Sequence, residues 1–143
     1  MKVKIKKLHP DAVIPAYAKP GDAGMDLTAV SMKIDEYGNI CYGTGLAFDI
    51  PEGYVGLVFP RSSNCKKGVI LTNCVGVIDS GYRGEVSFKF KEIALGNFNK
   101  VHYNVGDRIG QIIIMPYPQI EFEEVDELSE TERGDQGYGS IGK

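Results

Sequence analysis

Arg61, Ser62 and Ser63 follow directly on Pro60. A guanidinium beside two hydroxyls, at the start of a helical turn, forms an anion cradle in which N–H groups, hydroxyls and the arginine fork converge on phosphate oxygens. The same residues also suit a capped turn with a surface arginine. Asp79 lies in Gly76-Val77-Ile78-Asp79-Ser80-Gly81-Tyr82-Arg83-Gly84, where an apolar run leads into an acid and a glycine turn. Read as a hairpin, this stretch sets Asp79 and Tyr82 on a rigid corner, and the carboxylate acts as a general base for water or shapes the turn. Asp26, within Ala23-Gly24-Met25-Asp26-Leu27, is an acid among small and apolar residues. Unpaired burial would be costly, so it pairs with an arginine or helps hold a hydrated cation. Gln111, within Gly106-Asp107-Arg108-Ile109-Gly110-Gln111, interrupts an apolar run and needs a hydrogen-bond partner. Arg133 to Gly142 carries a cation, the ring of Tyr138 and four glycines. Such a segment either closes over a nucleotide, with ring on base and guanidinium on phosphates, or stays a mobile end.

The elements that must position these groups read as β. Val3–Lys6, Val86–Lys91 and Ile120–Glu123 alternate with period two, the pattern of strands with one wet and one buried face. Tyr54–Phe59, Gly68–Leu71 and Ile112–Met115 are more uniformly apolar and read as strands buried on both faces. Many short strands separated by 18 glycines and 7 prolines suggest a sandwich or barrel. Helix signals are confined to one turn over 60–68 and a weak acidic candidate, Asp126–Glu132. The expected fold is all-β with at most one short helix. Residues 1–125 form one domain and 126–143 a glycine-rich arm.

The 143 residues suit one domain. A net charge of −3 leaves no broad basic field for nucleic acid, so a polyanion must be met by a few local cations. No apolar run approaches a membrane span, and the lysine-studded N-terminus is not a secretory signal. Three cysteines without metal-type spacing read as free thiols of a reducing, cytoplasmic setting, and two histidines without a Cys/His cluster argue against zinc.

The five motifs, in this order along nearly the whole chain, resemble those of the trimeric dUTPase family, deoxyuridine triphosphate nucleotidohydrolases. The resemblance implies a jelly-roll-like subunit and a homotrimer whose active sites lie at subunit interfaces. It implies hydrolysis of dUTP to dUMP and pyrophosphate, which keeps uracil out of DNA and supplies dUMP for thymidylate synthesis. Asp79 matches the residue that activates water for attack at the α-phosphorus. Arg61, Ser62, Ser63 and Gln111 match phosphate ligands. Asn73 and the main chain of Val77, Ile78 and Ser87 match the uracil site, and Tyr82 the ring beneath the deoxyribose. Arg133 matches a phosphate ligand of the arm, and Tyr138, with Gly139 and Ser140, the part that covers the nucleotide. Asp26 matches an outer-shell contact to a magnesium ion held mainly by phosphates and waters. Departures are Tyr138 for the more usual Phe, Gln136 for Gly, Ile141 for Thr and Ser63 for Gly. The same fold also serves dCTP deaminases, whose proton-transfer acid is replaced here by Lys89, and non-catalytic dUTP-sensing trimers.

Overall fold

The computed structural model describes residues 1–93 and 102–139. Ten strands run in chain order: β1 Lys4–Lys7, β2 Met25–Thr28, β3 Ser31–Ile34, β4 Ile40–Gly43, β5 Leu46–Asp49, β6 Tyr54–Phe59, β7 Val69–Leu71, β8 Gly76–Ile78, β9 Ser87–Glu92 and β10 Arg108–Pro116. The one helical element among the described residues is a 3-10 turn at Ser62–Lys66, inside the single turn expected over 60–68. One sheet has the order β2-β10-β6-β8, a second β3-β4-β9-β7, and β1 pairs with β5. Every strand pair is antiparallel.

The two four-stranded sheets bury a shared core. Leu27, Val58 and Ile112 of the first meet Tyr42, Phe88, Phe90 and Val69 of the second. Phe88 and Phe90 sit two apart on β9 and so face inward together, whereas Lys89 and Lys91 face out. Tyr42 meets Phe90 edge-on at 5.9 Å and donates its hydroxyl to the Tyr103 carbonyl at 2.8 Å, which removes the cost of burying that group. Gly110 lies against the facing sheet: a Cβ there would collide with the Phe88 ring and, on its own sheet, crowd the Phe59 carbonyl. A side chain at this position would overpack the core.

Several expectations fail, two of them because a sandwich buries only one face of each sheet. Gly68–Leu71 is not buried on both faces, because Ile70 on the edge strand β7 is 52% exposed. Met115 likewise faces out from β10. Ile120–Glu123 forms no strand: Phe122 is 93% exposed and nothing pairs with it among the described residues. Asp126–Glu132 forms no helix, since Leu128, its only large apolar side chain, finds no surface to cover. The 76–86 stretch is not a hairpin. β8 pairs with β6 and β9 with β4 and β7, so residues 79–86 arch from one sheet to the other. Among the described residues no helix is long and apolar enough to cross a membrane.

Candidate active site

The cradle forms where three strands of the first sheet come side by side. On β10, Gln111 lies between Asp26 of β2 and Phe59 of β6 in register. Arg61, two residues past β6, leans back over the sheet. Its Nε donates to Asp26 Oδ1 at 3.1 Å and its Nη1 lies 3.4 Å from Ser63 Oγ. Arg108 Nη1 donates to the other Asp26 oxygen at 3.2 Å. Asp26 thus pairs with two arginines, the first of the two alternatives read from the sequence, and holds both guanidinia at one spot. Gln111 Nε2 donates to the Pro60 carbonyl at 3.0 Å, so the polar interruption in β10 is satisfied and pins the start of the arginine turn. Asn64 ties the other end of the turn down, donating to the Val69 carbonyl at 3.0 Å and accepting the Tyr103 hydroxyl at 2.8 Å. Ser62 is exposed at the head of the turn. Gly24 leaves room for Gln111: a Cβ there would meet its Oε1. A cleft of about 630 Å3 opens alongside, with Asp26, Arg108 and Gln111 in its wall. Arg108 is the member of this group that sequence reasoning missed, although it stands three residues before Gln111 in the quoted motif.

The second group lies on and after β8, the edge strand of the same sheet. Its outer main-chain N–H and C=O groups are free of sheet partners among the described residues, so Val77 and Ile78 present a row of donors and acceptors, and Val77 is 62% exposed. Asn73 precedes it in a tight turn, where Val75 N–H donates to the Asn73 carbonyl at 2.6 Å and Cys74 takes φ +62°. Asp79 is exposed and walls a cleft of about 370 Å3 with Tyr54, Val55, Leu57, Val77 and Tyr117. Tyr82 N–H closes a turn on the Asp79 carbonyl at 3.0 Å, and the Tyr82 hydroxyl donates to the Glu85 carbonyl at 3.1 Å. The Tyr82 ring therefore folds over Gly84, where a Cβ would collide with it. Ser87 starts β9 opposite Gly43 in the second sheet, across the arch from Val77 and Ile78.

The two groups do not meet within a protomer. Ile78 pairs with Gly56, so Asp79 lies at the level of Val55, six residues back along β6 from Arg61. At roughly 3.3 Å per residue that is about 20 Å, and Arg61 leans toward β2, away from β8. The third group stands apart from both. Arg133 Nε donates to the Gln136 carbonyl at 3.1 Å in a local turn, Tyr138 is fully exposed with φ +54°, and Gly139 takes φ +80°. Ser140 and Ile141 lie outside the described residues.

Among the described residues no group of three or more His, Cys, Asp or Glu side chains is placed to hold a metal. Lys89 binds Asp35 at 3.2 Å on the outer face of the second sheet.

A family model described as dUTPase matches residues 11–142. The chain belongs to the dUTPase family. A Corynebacterium glutamicum deoxyuridine 5'-triphosphate nucleotidohydrolase is 43% identical over 143 residues, which cover 99% of this chain and 95% of that one. The dUTPase of Staphylococcus bacteriophage 80alpha, solved with dUPNHPP, superposes with a TM-score of 0.85 at 27% identity and 99% coverage of both chains. A mutant dUTPase from phage phi11 of S. aureus, described as revealing the coordination of a structural Mg(II) ion, superposes at 0.74 with 25% identity, covering 89% of this chain and 98% of that one. The jelly-roll architecture expected from the motifs is the one dUTPases share with this chain.

Proposed function

We propose that the chain hydrolyses dUTP to dUMP and pyrophosphate as a homotrimer, with Asp79 as the general base for water. The observation that carries this reading is the cationic cradle. Three separated motifs converge on one spot that offers two guanidinia, a glutamine and the Ser63 hydroxyl, with Ser62 exposed at the head of the same turn, in a chain whose relatives are dUTP nucleotidohydrolases. Water attacking a triphosphate meets dense negative charge, and fixed cations offset it without reorganising during the reaction. Arg61 and Arg108 are such cations because Asp26 and the Pro60–Gln111 bond fix the turn before substrate arrives. The open edge of β8 suits an amide-rich base whose donors and acceptors differ from those of cytosine. Tyr82, locked over Gly84, offers a flat surface to a sugar without a 2′-hydroxyl.

The backbone separation of about 20 Å along the strand direction between Asp79 and Arg61, whose guanidinium turns toward β2, supports assembly. A single nucleotide must meet a base at its innermost phosphorus and a cradle on its phosphates, and on this reading the two groups come from different copies. Residues 126–139 complete the proposal as an arm that brings Arg133, Tyr138 and Gly139, with Ser140 following in sequence, over the nucleotide. Closing it would exclude water and strengthen every charge interaction inside.

Magnesium fits the donor set as a substrate-borne ion. One carboxylate beside a phosphate site is the usual protein share of a magnesium shell, and Asp26, with both oxygens engaged by arginines, suits a contact through water. The ion supplies charge neutralisation on the phosphates. We place the protein in the cytoplasm, where its three free thiols stay reduced. The deaminase reading is disfavoured by Lys89, an ammonium engaged with Asp35 where an acid is required. Pyrophosphate release measured across deoxy- and ribonucleoside triphosphates, with magnesium and with chelator, tests the proposal. Rapid release from dUTP alone is expected. Equal release from dCTP and UTP, or ammonia from dCTP, overturns it.

A further inference from the structure

We propose that Arg83 and Asp49 are positioning residues that hold the arch bearing Asp79 and Tyr82, an inference that rests on the reading of Asp79 as the base. The arch leaves one sheet at Ile78 and rejoins the other near Val86, whose N–H donates to the Leu46 carbonyl at 2.9 Å. Between these anchors its backbone bond, Tyr82 N–H to Asp79, is internal. A loop held only at its ends keeps its own shape but can swing as a body. Arg83 removes that freedom. Its Nη1 donates to the carbonyls of Ser80, at 2.6 Å, and Tyr82, at 3.1 Å, so one guanidinium nitrogen spans the turn directly after Asp79. Its Nη2 bonds Asp49 Oδ1 at 2.5 Å, at the end of β5. Among the described residues this is the side-chain tie from the middle of the arch to the sandwich; the others, Glu85 to the Gly45 N–H at 2.7 Å and the Thr44 hydroxyl to the Val86 carbonyl at 2.6 Å, lie at the far end.

The planar guanidinium can serve two carbonyls and a carboxylate at once, whereas an ammonium is a point donor without that fork. Asp49 has one further partner, Lys4, 3.5 Å from Oδ2 on β1, whose side chain is almost fully exposed. The catalytic turn is therefore referenced to β5, a strand that carries no substrate ligand. Small misplacement of a reacting group costs rate far more than binding. Loss of the tie should accordingly appear in kcat and in sugar selectivity, with the phosphate cradle on the far side of the sheet unaffected.

The test compares Asp49→Asn, Asp49→Glu, Arg83→Lys, Arg83→Ala and the Asp49→Asn/Arg83→Ala double variant in pyrophosphate release from dUTP and UTP. Lys4→Ala and Asp79→Asn serve as controls, and thermal unfolding and oligomer mass are followed for each. Asp49→Asn is expected to lower kcat about tenfold with KM within about twofold, and to narrow the dUTP/UTP preference. Asp49→Glu should recover part of the loss, Arg83→Lys should fall between wild type and Arg83→Ala, and the double variant should be no worse than Arg83→Ala. Lys4→Ala should stay within about twofold of wild type. Unchanged kcat in folded Asp49→Asn, additive losses in the double variant, or an equal loss in Lys4→Ala overturns the positioning role. Near-normal turnover in Asp79→Asn would instead overturn the assignment of the base, so the two failures are distinguishable.

Discussion

Asp79 stands exposed one residue past β8, where it can meet water and substrate without paying to bury a charge. In the proposed role of general base this carboxylate contributes to rate through proton transfer and little to affinity. Asp79→Asn should therefore retain dUTP binding by calorimetry while kcat falls roughly 100- to 10,000-fold; a near-normal rate would move the base elsewhere. Tyr82 poses the complementary case. Its ring is fixed by the hydrogen bond to the Glu85 carbonyl and by the empty space at Gly84; in the proposed role its shape rather than its charge selects the sugar. Tyr82→Ala should relax the preference for dUTP over UTP by about tenfold or more in competition assays, and unchanged selectivity would mean that another group reads the sugar.

The turn between β3 and β4 holds a hydrogen-bond network that reaches Thr72, the residue before Asn73. Asp35 accepts both the side-chain amide and the backbone N–H of Asn39, the ammonium of Lys89 at 3.2 Å and the Cys41 thiol. Asn39 in turn accepts the Thr72 hydroxyl at 3.0 Å, directly before Asn73. The Asn39 side chain, with its backbone N–H, Lys89 and Cys41 adding to it and partial burial opposing, holds the Asp35 carboxyl well below the usual carboxylate range. Lys89 is raised, chiefly by Asp35. Burial foremost, then Asp35, raises the Cys41 thiol, which keeps it protonated. A depressed carboxyl stabilises the fold fully above its unfolded pKa of about 3.9, and that contribution drains away as pH falls toward the folded value. The raised lysine has the opposite sign: its contribution is present below about pH 10.4 and is lost as pH climbs past its folded value. Asp35→Asn should lower the urea midpoint at about pH 7 and flatten the decline of wild type between about pH 5 and about pH 2.5. Equal acid slopes would show that this carboxylate contributes nothing. The long-range part of this network could not be read from the sequence, because Lys89 lies 54 residues from Asp35 and Thr72 lies 33 from Asn39, and strand register brings them together. By contrast, the alternation of Phe88 and Phe90 with Lys89 and Lys91 announces β9 directly. At residues 76–86 the residue types predict a hairpin where the structure has an arch, because local turn chemistry cannot say which sheet the next strand joins. The cradle is legible as three motifs, yet the role of Asp26 as the clamp between Arg61 and Arg108 needs their contacts.

At the scale of the molecule, the chain carries Asp79 and the arginine cradle on different strands of a single sheet, and extends 117–139 without strand or helix. Ile120, Phe122, Val125 and Leu128 along that extension are exposed, an unusual load of apolar surface for a segment with no core of its own. Both features are accounted for if neighbouring copies complete each site, and that arrangement makes a quantitative prediction. Asp79→Asn and Arg61→Ala should each be nearly inactive as pure assemblies. If they are co-expressed in equal amounts and assort at random, a site is intact when its base comes from an Arg61→Ala copy and its cradle from an Asp79→Asn copy. Each choice has even odds, so about a quarter of the sites should recover wild-type turnover. Steady-state pyrophosphate release per site, on assemblies whose composition is fixed by native mass spectrometry, measures this fraction. A site built within one protomer can never regain both groups by mixing, so activity that stays at the level of the separate variants would refute the shared site and the trimer argument built on it.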